Sequence, residues 1–305
     1  MVAFLEALAA LALPPLLMSV IAKTKAWFGG RVGPPWLQPY YELAKLLRKN
    51  AVYSETTTWV FRAGPIISLA ALLTAAALVP VLSNRSPLGF PGDVILVAYL
   101  FALGRMFTVL AAMDTGSSFE GMGASREVTF GAMSEPALFL AFVVLAVATG
   151  SLQLSQMLGP TLLDEWQIAG PAMVLVIGAL LVVLLTEACR VPVDDPATHL
   201  ELTMIHEVMV LDHSGPEFAY ITYGAALKFM LLGSVLLHVA IPHPESFVFL
   251  DPVLRVVELV ALAGVVGVIE SAMARLRLNR VPLLLAGATV LSAIAVVIVF
   301  ARRTL

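Results

Sequence analysis

Apolar residues run in long blocks near positions 2–21, 64–82, 93–112, 135–153, 170–189, 217–241, 252–273 and 282–300. Each block approaches the ~20 residues a helix needs to cross the hydrocarbon core, so the pattern predicts an all-α polytopic membrane protein with about eight transmembrane helices. The sequence predicts one integral membrane domain over residues 1–305. Its loops at 23–62, 113–134 and 190–216 are expected to form a docking face, while those at 83–92, 154–169 and 242–251 are short. Within the first loop, PYYELAKLLRK puts Tyr40, Leu43, Leu46 and Leu47 on one helical face and Glu42, Lys45 and Lys49 on others, which predicts a short amphipathic interfacial helix. The preceding GGRVGPP is a turn segment broken by Gly33 and Pro34.

Composition agrees with lipid burial: 60% of residues are hydrophobic and 13% charged, and the mean hydropathy is +0.94. A net charge of −3 gives no reason to expect nucleic acid as a partner. Cys189 is the only cysteine, so an intrachain disulfide and an all-cysteine iron–sulfur cluster are both excluded. Residues 2–21 lack a basic leader and a small-residue cleavage site, and are expected to be a first span rather than a removed signal.

Charge sets the expected orientation. Lys23, Lys25, Arg31, Lys45, Arg48, Lys49, Arg62, Arg126, Arg190, Arg275, Arg277 and Arg280 fall on one side, against Arg85, Arg302 and Arg303 on the other. The positive-inside rule then places the long loops in the cytoplasm and both termini outside, in the cell inner membrane.

The stretch from Glu187 to Tyr223 concentrates the chemistry, with Glu187, Asp194, Asp195, Glu201, Glu207, Asp212, Glu217 and three histidines. Glu135 is expected to begin the fourth span and Glu187 to end the fifth, so two chain-distant carboxylates converge at one depth. Lys228 lies inside the sixth span. Arg105, Arg255, Glu258 and Glu270 are further ionisable groups within spans, and Glu6 lies near a span end. A charged group at a helix centre costs at least ~2.5–3.5 kcal/mol unless it faces partners or water, and such groups suit a proton relay. His199 and His206 are seven residues apart. The i,i+4 pair of a zinc-binding HExxH is absent, because Val210 stands four after His206, and no metal is expected.

GMGASREVTFGAMSEPALF (121–139), EACRVPVDDPATHLELTMIHEVMVLDHSG (187–215) and KTKAWFGGRVGPPWLQPYYELAKLLRK (23–49) resemble the membrane subunit of group 4 [NiFe] hydrogenases, of the formate hydrogenlyase or hydrogenase-4 type. That subunit is similar to the quinone-site membrane subunit of respiratory complex I. By this resemblance Arg126 and Glu135 match one acidic motif, and Glu187, Arg190, Pro192, Asp194 and Glu201 a second. Ala197 and His199 stand where the quinone-reducing branch has further glutamates.

The resemblance implies a non-catalytic anchoring and energy-coupling subunit with no redox centre of its own, linking a cytoplasmic redox arm to proton or sodium translocation. The implied partners are a [NiFe] hydrogenase large subunit, a small iron–sulfur subunit, a ferredoxin-like subunit and antiporter-like membrane subunits. The [NiFe] and iron–sulfur cofactors are expected in those partners and none in this chain. Glu135, Glu187, Glu201, Glu207 and Lys228 are the expected relay, Arg126 and Arg190 their charge partners, and Asp194, Asp195 and Asp212 the docking residues. THLELTMIHEVMVL is expected to be an amphipathic helix packing Leu200, Met204, Val208 and Leu211 on the bundle. A quinone-chamber subunit of a complex I-like dehydrogenase and a stand-alone ion transporter are the alternatives.

Overall fold

In a computed structural model, residues 2–194, 204–244 and 250–304 are described. The chain forms α1 (Val2–Phe28), α2 (Gln38–Leu47), α3 (Trp59–Leu78), α4 (Asp93–Asp114), α5 (Ser118–Thr149), α6 (Leu154–Met157), α7 (Leu162–Glu187), α8 (His206–Met209), α9 (Gly215–Ala240), α10 (Asp251–Ala272) and α11 (Val281–Thr304). Eight of these, all but α2, α6 and α8, are long and apolar enough to cross a membrane. The chain is a multi-pass membrane protein.

The spans pack α3 on α4, α1 on α10, and α5 and α7 on α11, with α9 in the middle against α1, α3 and α7. α9 is the most enclosed, burying Leu227, Phe229, Met230 and Leu231 completely. At one end of the bundle, Asp114 accepts hydrogen bonds from Thr58 N (2.7 Å) and Phe61 N (3.2 Å), and Tyr53 Oη donates to Glu217 at 2.8 Å. At the other end the fully buried Asp93 accepts from Leu154 N at 2.7 Å, and Trp166 Nε1 donates to Val239 O at 2.9 Å. That second end also holds a quartet. Arg255 lies 2.9 Å from Glu258 and 3.7 Å from Asp251, and the His243 ring bridges the same two carboxylates.

The expected interfacial helix is present as α2, with no residue buried. Tyr41 and Leu47 are exposed, and the Tyr40 hydroxyl hydrogen-bonds Ala12 O on α1. The expected loop at 113–134 is overturned. Only residues 115–117 separate α4 from α5, and α5 extends for 32 residues, about 48 Å of helix. Its first seventeen residues carry Glu120, Arg126, Glu127 and Ser134, polar groups that face other parts of the protein and so interrupt the hydropathy without interrupting the helix.

The 190–216 segment also departs from expectation. Its helix covers only His206–Met209 among the described residues, with Met204 and Val208 buried but Leu211 exposed. Leu200 lies outside the described residues.

Candidate functional site

Between its terminal Asp93 and Asp114, the one charged residue of α4 is Arg105, nine residues, about 14 Å of helix, from the Asp114 end. The guanidinium reaches three carboxylates. Nη1 donates to Glu135 Oε1 at 2.8 Å, Nη2 pairs with Glu187 Oε1, and Nε lies 3.8 Å from Glu127. Glu187, the last residue of α7, is buried to 5% side-chain exposure. It also accepts from Ser134 Oγ at 2.7 Å and pairs with Lys228 Nζ at 2.5 Å. One carboxylate thus joins α4, α5, α7 and α9.

Planarity explains the choice of arginine at this junction. Its fixed fork of donors serves two carboxylates at once, where an ammonium would act as a point charge. α5 makes room with Gly131, which lies against the guanidinium. Glu135 is the exception to the burial: its side chain is 38% exposed. Beside the cluster, the described residues leave a cavity of about 60 Å³, space for about four waters, lined among others by Arg105, Glu127, Glu187, Cys189, His206 and Lys228.

After Glu187 the chain turns back at a level where α4 and α9 continue as helix. Lys228, which meets Glu187, is thirteen residues into α9, about 20 Å from its start. The turn is therefore sunk into the bundle, with Val191, Val193 and Asp194 buried. Asp194 pairs with Arg275 at 3.0 Å and accepts from Ile205 N and His206 N, both at 3.1 Å, which caps α8.

Of the relay residues read from the sequence, Glu135, Glu187 and Lys228 are brought together. Glu207 is not: it stands in the first turn of α8 without an ion pair to any described residue. Glu201, Asp195 and His199 lie outside the described residues, as does the side chain of Glu6.

The assignment of Arg190 as a charge partner is corrected, and Arg126 contacts the segment before α8. Arg126 Nη1 donates to Met204 O at 2.8 Å and the side chain lies within electrostatic reach of Asp194 and Arg275. Arg190 pairs with Glu270 at 3.4 Å, alongside Lys25 at 2.8 Å, and so ties the turn to α1 and α10. Arg105 has the role expected of them, and the signal for it was a lone arginine inside an apolar span.

Asp194 as a docking residue is likewise corrected: at 2% exposure it is committed to the fold, because the turn that carries it is recessed. Asp212 is exposed, and its backbone N donates to the buried Glu120 at 3.1 Å.

A family model described as NADH dehydrogenase matches residues 1–301. Formate hydrogenlyase subunit 4 of Escherichia coli (strain K12) is 33% identical over 285 residues, covering 91% of each chain. Hydrogenase-4 component C of the same organism is 31% identical over 244 residues, 80% of this chain and 76% of its own. Among solved structures, a chain of the membrane-bound sulfane sulfur reductase, an archaeal respiratory membrane complex, superposes with a TM-score of 0.83 at 20% identity. That match covers 98% of this chain and 100% of the other, and shows the shared fold.

Proposed function

The chain belongs to the NADH dehydrogenase family, and from that premise we propose that it is the membrane-anchoring and energy-coupling subunit of a group 4 [NiFe] hydrogenase complex in the cell inner membrane. The names of the two hydrogenase-type relatives support this branch, and the family support the general role. Proposed partners are the [NiFe] large subunit, the small iron–sulfur and ferredoxin-like subunits, and antiporter-like membrane subunits. Electron transfer is assigned to that cytoplasmic arm, and this chain supplies the coupling.

The observation that carries the coupling role is the double grip on Glu187 by Arg105 and Lys228. Glu187 ends α7 and leads into the buried turn. A shift of that turn separates the carboxylate from one cation, and a cation stranded in a buried site costs ~3–5 kcal/mol. The strain is relieved by exchange of partners, with Arg105 leaning toward Glu135. Because Glu135 is the most exposed member of the cluster, the exchange delivers a change of charge to the group that a neighbouring membrane subunit can most readily reach.

The test is made on the complex in vesicles, following hydrogen evolution and ion uptake together. Glu187→Gln keeps the shape and removes the charge. It is expected to leave hydrogen evolution within about twofold and reduce coupled ion uptake at least tenfold, the cost of ~1.4 kcal/mol. Uptake at the wild-type ratio overturns the coupling role. Copurification of a [NiFe] subunit in mild detergent tests the branch, since quinone reactivity would instead mark a complex I-like dehydrogenase and transport by the chain alone a carrier.

A further inference from the structure

We propose that Glu127, Cys189 and His206 form a binding site for a thiophilic divalent cation of the Zn²⁺ class, next to the Arg105–Glu187 cluster. The three residues come from three elements: α5, the turn after α7, and the first residue of α8. One ligating atom of each lies within 4.8 Å of the other two. Zinc bonds of ~2.3 Å to sulfur and ~2.0–2.2 Å to nitrogen and oxygen put tetrahedral ligands about 3.3–3.8 Å apart, so closure by roughly 1 Å completes the site.

The donor set decides the metal. A thiolate with an imidazole disfavours Mg²⁺ and Ca²⁺, which prefer all-oxygen shells, and favours Zn²⁺, Co²⁺ or Cd²⁺. Three protein donors leave the fourth position to a water from the adjoining cavity. Binding exchanges ligands with no change of oxidation state: the Cys189 S–H bond breaks, a sulfur–metal bond forms and the proton leaves to solvent.

Further observations point the same way. The Nδ1 of His206 is buried without a hydrogen-bond partner among the described residues, a polar atom whose desolvation is uncompensated and which a metal or its bound water satisfies. Cys189 is the one described non-glycine residue with a positive φ, 52°, a conformation costing of order 1–3 kcal/mol that the surrounding structure must hold in place.

Occupancy has a mechanical consequence. Glu127 lies 3.8 Å from Arg105 Nε, so a metal that takes its carboxylate withdraws one of the three acids around the guanidinium. It also staples α5, the α7 turn and α8 to one another. The site is thus an inhibitory clamp on the movement that the coupling role requires, although metal binding itself does not depend on that role.

The experiment uses the full chain, purified in detergent with a tag free of histidine and cysteine. Because Cys189 is the only thiol in the chain, Co²⁺ reports on it directly through a near-ultraviolet sulfur-to-cobalt charge-transfer band. One Co²⁺ per chain is expected to give this band together with visible absorption of tetrahedral intensity. Stoichiometric Zn²⁺ should abolish both, and a large excess of Mg²⁺ should leave them unchanged. Cys189→Ser should remove the band, and His206→Gln should weaken binding at least tenfold. Absence of the band from wild-type protein overturns the proposal without recourse to any variant. So does Co²⁺ affinity in His206→Gln equal to that of the wild type.

Discussion

Gly131 of α5 lies directly against the guanidinium of Arg105: a Cβ built at this glycine would stand 2.2 Å from Nη1 and 2.7 Å from Cζ. Gly131→Ala therefore moves the fork off Glu135 and Glu187 rather than deforming either helix. Coupled ion uptake is expected to fall tenfold or more, since a displacement of about 1 Å is enough for such losses, while the complex still assembles. Gly121→Ala, on the same helix with open space beside it, is the matched control and should be silent. Equal uptake in the two variants would show that Arg105 tolerates displacement.

Substitution of Arg105 itself separates charge from geometry. Arg105→Lys keeps a cation but cannot fork between two carboxylates, so assembly is expected with impaired coupling. Arg105→Gln leaves Glu187 with Lys228 and the Ser134 hydroxyl and should destabilise the chain by ~3–5 kcal/mol, seen as a lowered thermal midpoint in detergent. A midpoint unchanged in Arg105→Gln would show that Lys228 suffices.

Asp194 and Asp212, both read as docking residues, part company in the structure. Asp194→Ala removes the acceptor of two backbone N–H groups and the partner of Arg275. A loss of ~2–4 kcal/mol is expected, insensitive to salt because the group is buried. Asp212→Asn should leave the thermal midpoint within about 1 °C and weaken retention of the cytoplasmic arm in a salt-dependent way, as exposed charges are screened over ~8 Å. Pull-down across a salt series, beside melts of each variant, checks both. Arm loss in Asp212→Asn that ignores salt would remove it from the interface.

His213, stacked on Phe61 at 4.0 Å, has its pKa pushed down to about 4 by burial. The unfolded chain takes up a proton near pH 6.5 that the folded chain refuses, so this contribution is fully present above pH 6.5 and is lost as pH falls toward 4. Between pH 7 and 5 the loss is expected to reach about 2 kcal/mol. Thermal melts over this range should show it, and His213→Gln should flatten the dependence. An equally steep profile in that variant assigns the effect elsewhere.

The spans were legible because crossing lipid demands length and apolarity, and both are properties of a window of sequence. The first half of α5 was hidden for the opposite reason. Its glycines serve close packing: Gly123 admits α8, with Val208 Cγ1 2.3 Å from a built Cβ, and Gly131 admits Arg105. Glu135, Glu187 and Lys228 were visible as ions in apolar surroundings. Arg105 was visible in the same way, but its pairing with the two glutamates was not, because sequence proximity favoured Arg126 and Arg190 within the motifs, whereas Arg105 comes from α4. The burial of Asp194 was out of reach for a similar reason, since it follows from where α7 stops relative to its neighbours.

That early stop also bears on biogenesis. Backbone leaving a helix part-way along a span exposes amides that cost several kcal/mol each in lipid unless protein encloses them. The enclosure here includes Lys228 of α9, and Val281 and Leu285 of α11, which pack with Val193 and Ile205. Both helices are translated after α7. The turn beyond Glu187 must therefore stay with the insertion machinery or at the water interface until the final span arrives, so the charged centre matures last, and a chain truncated before α11 is a substrate for quality control rather than a smaller working subunit.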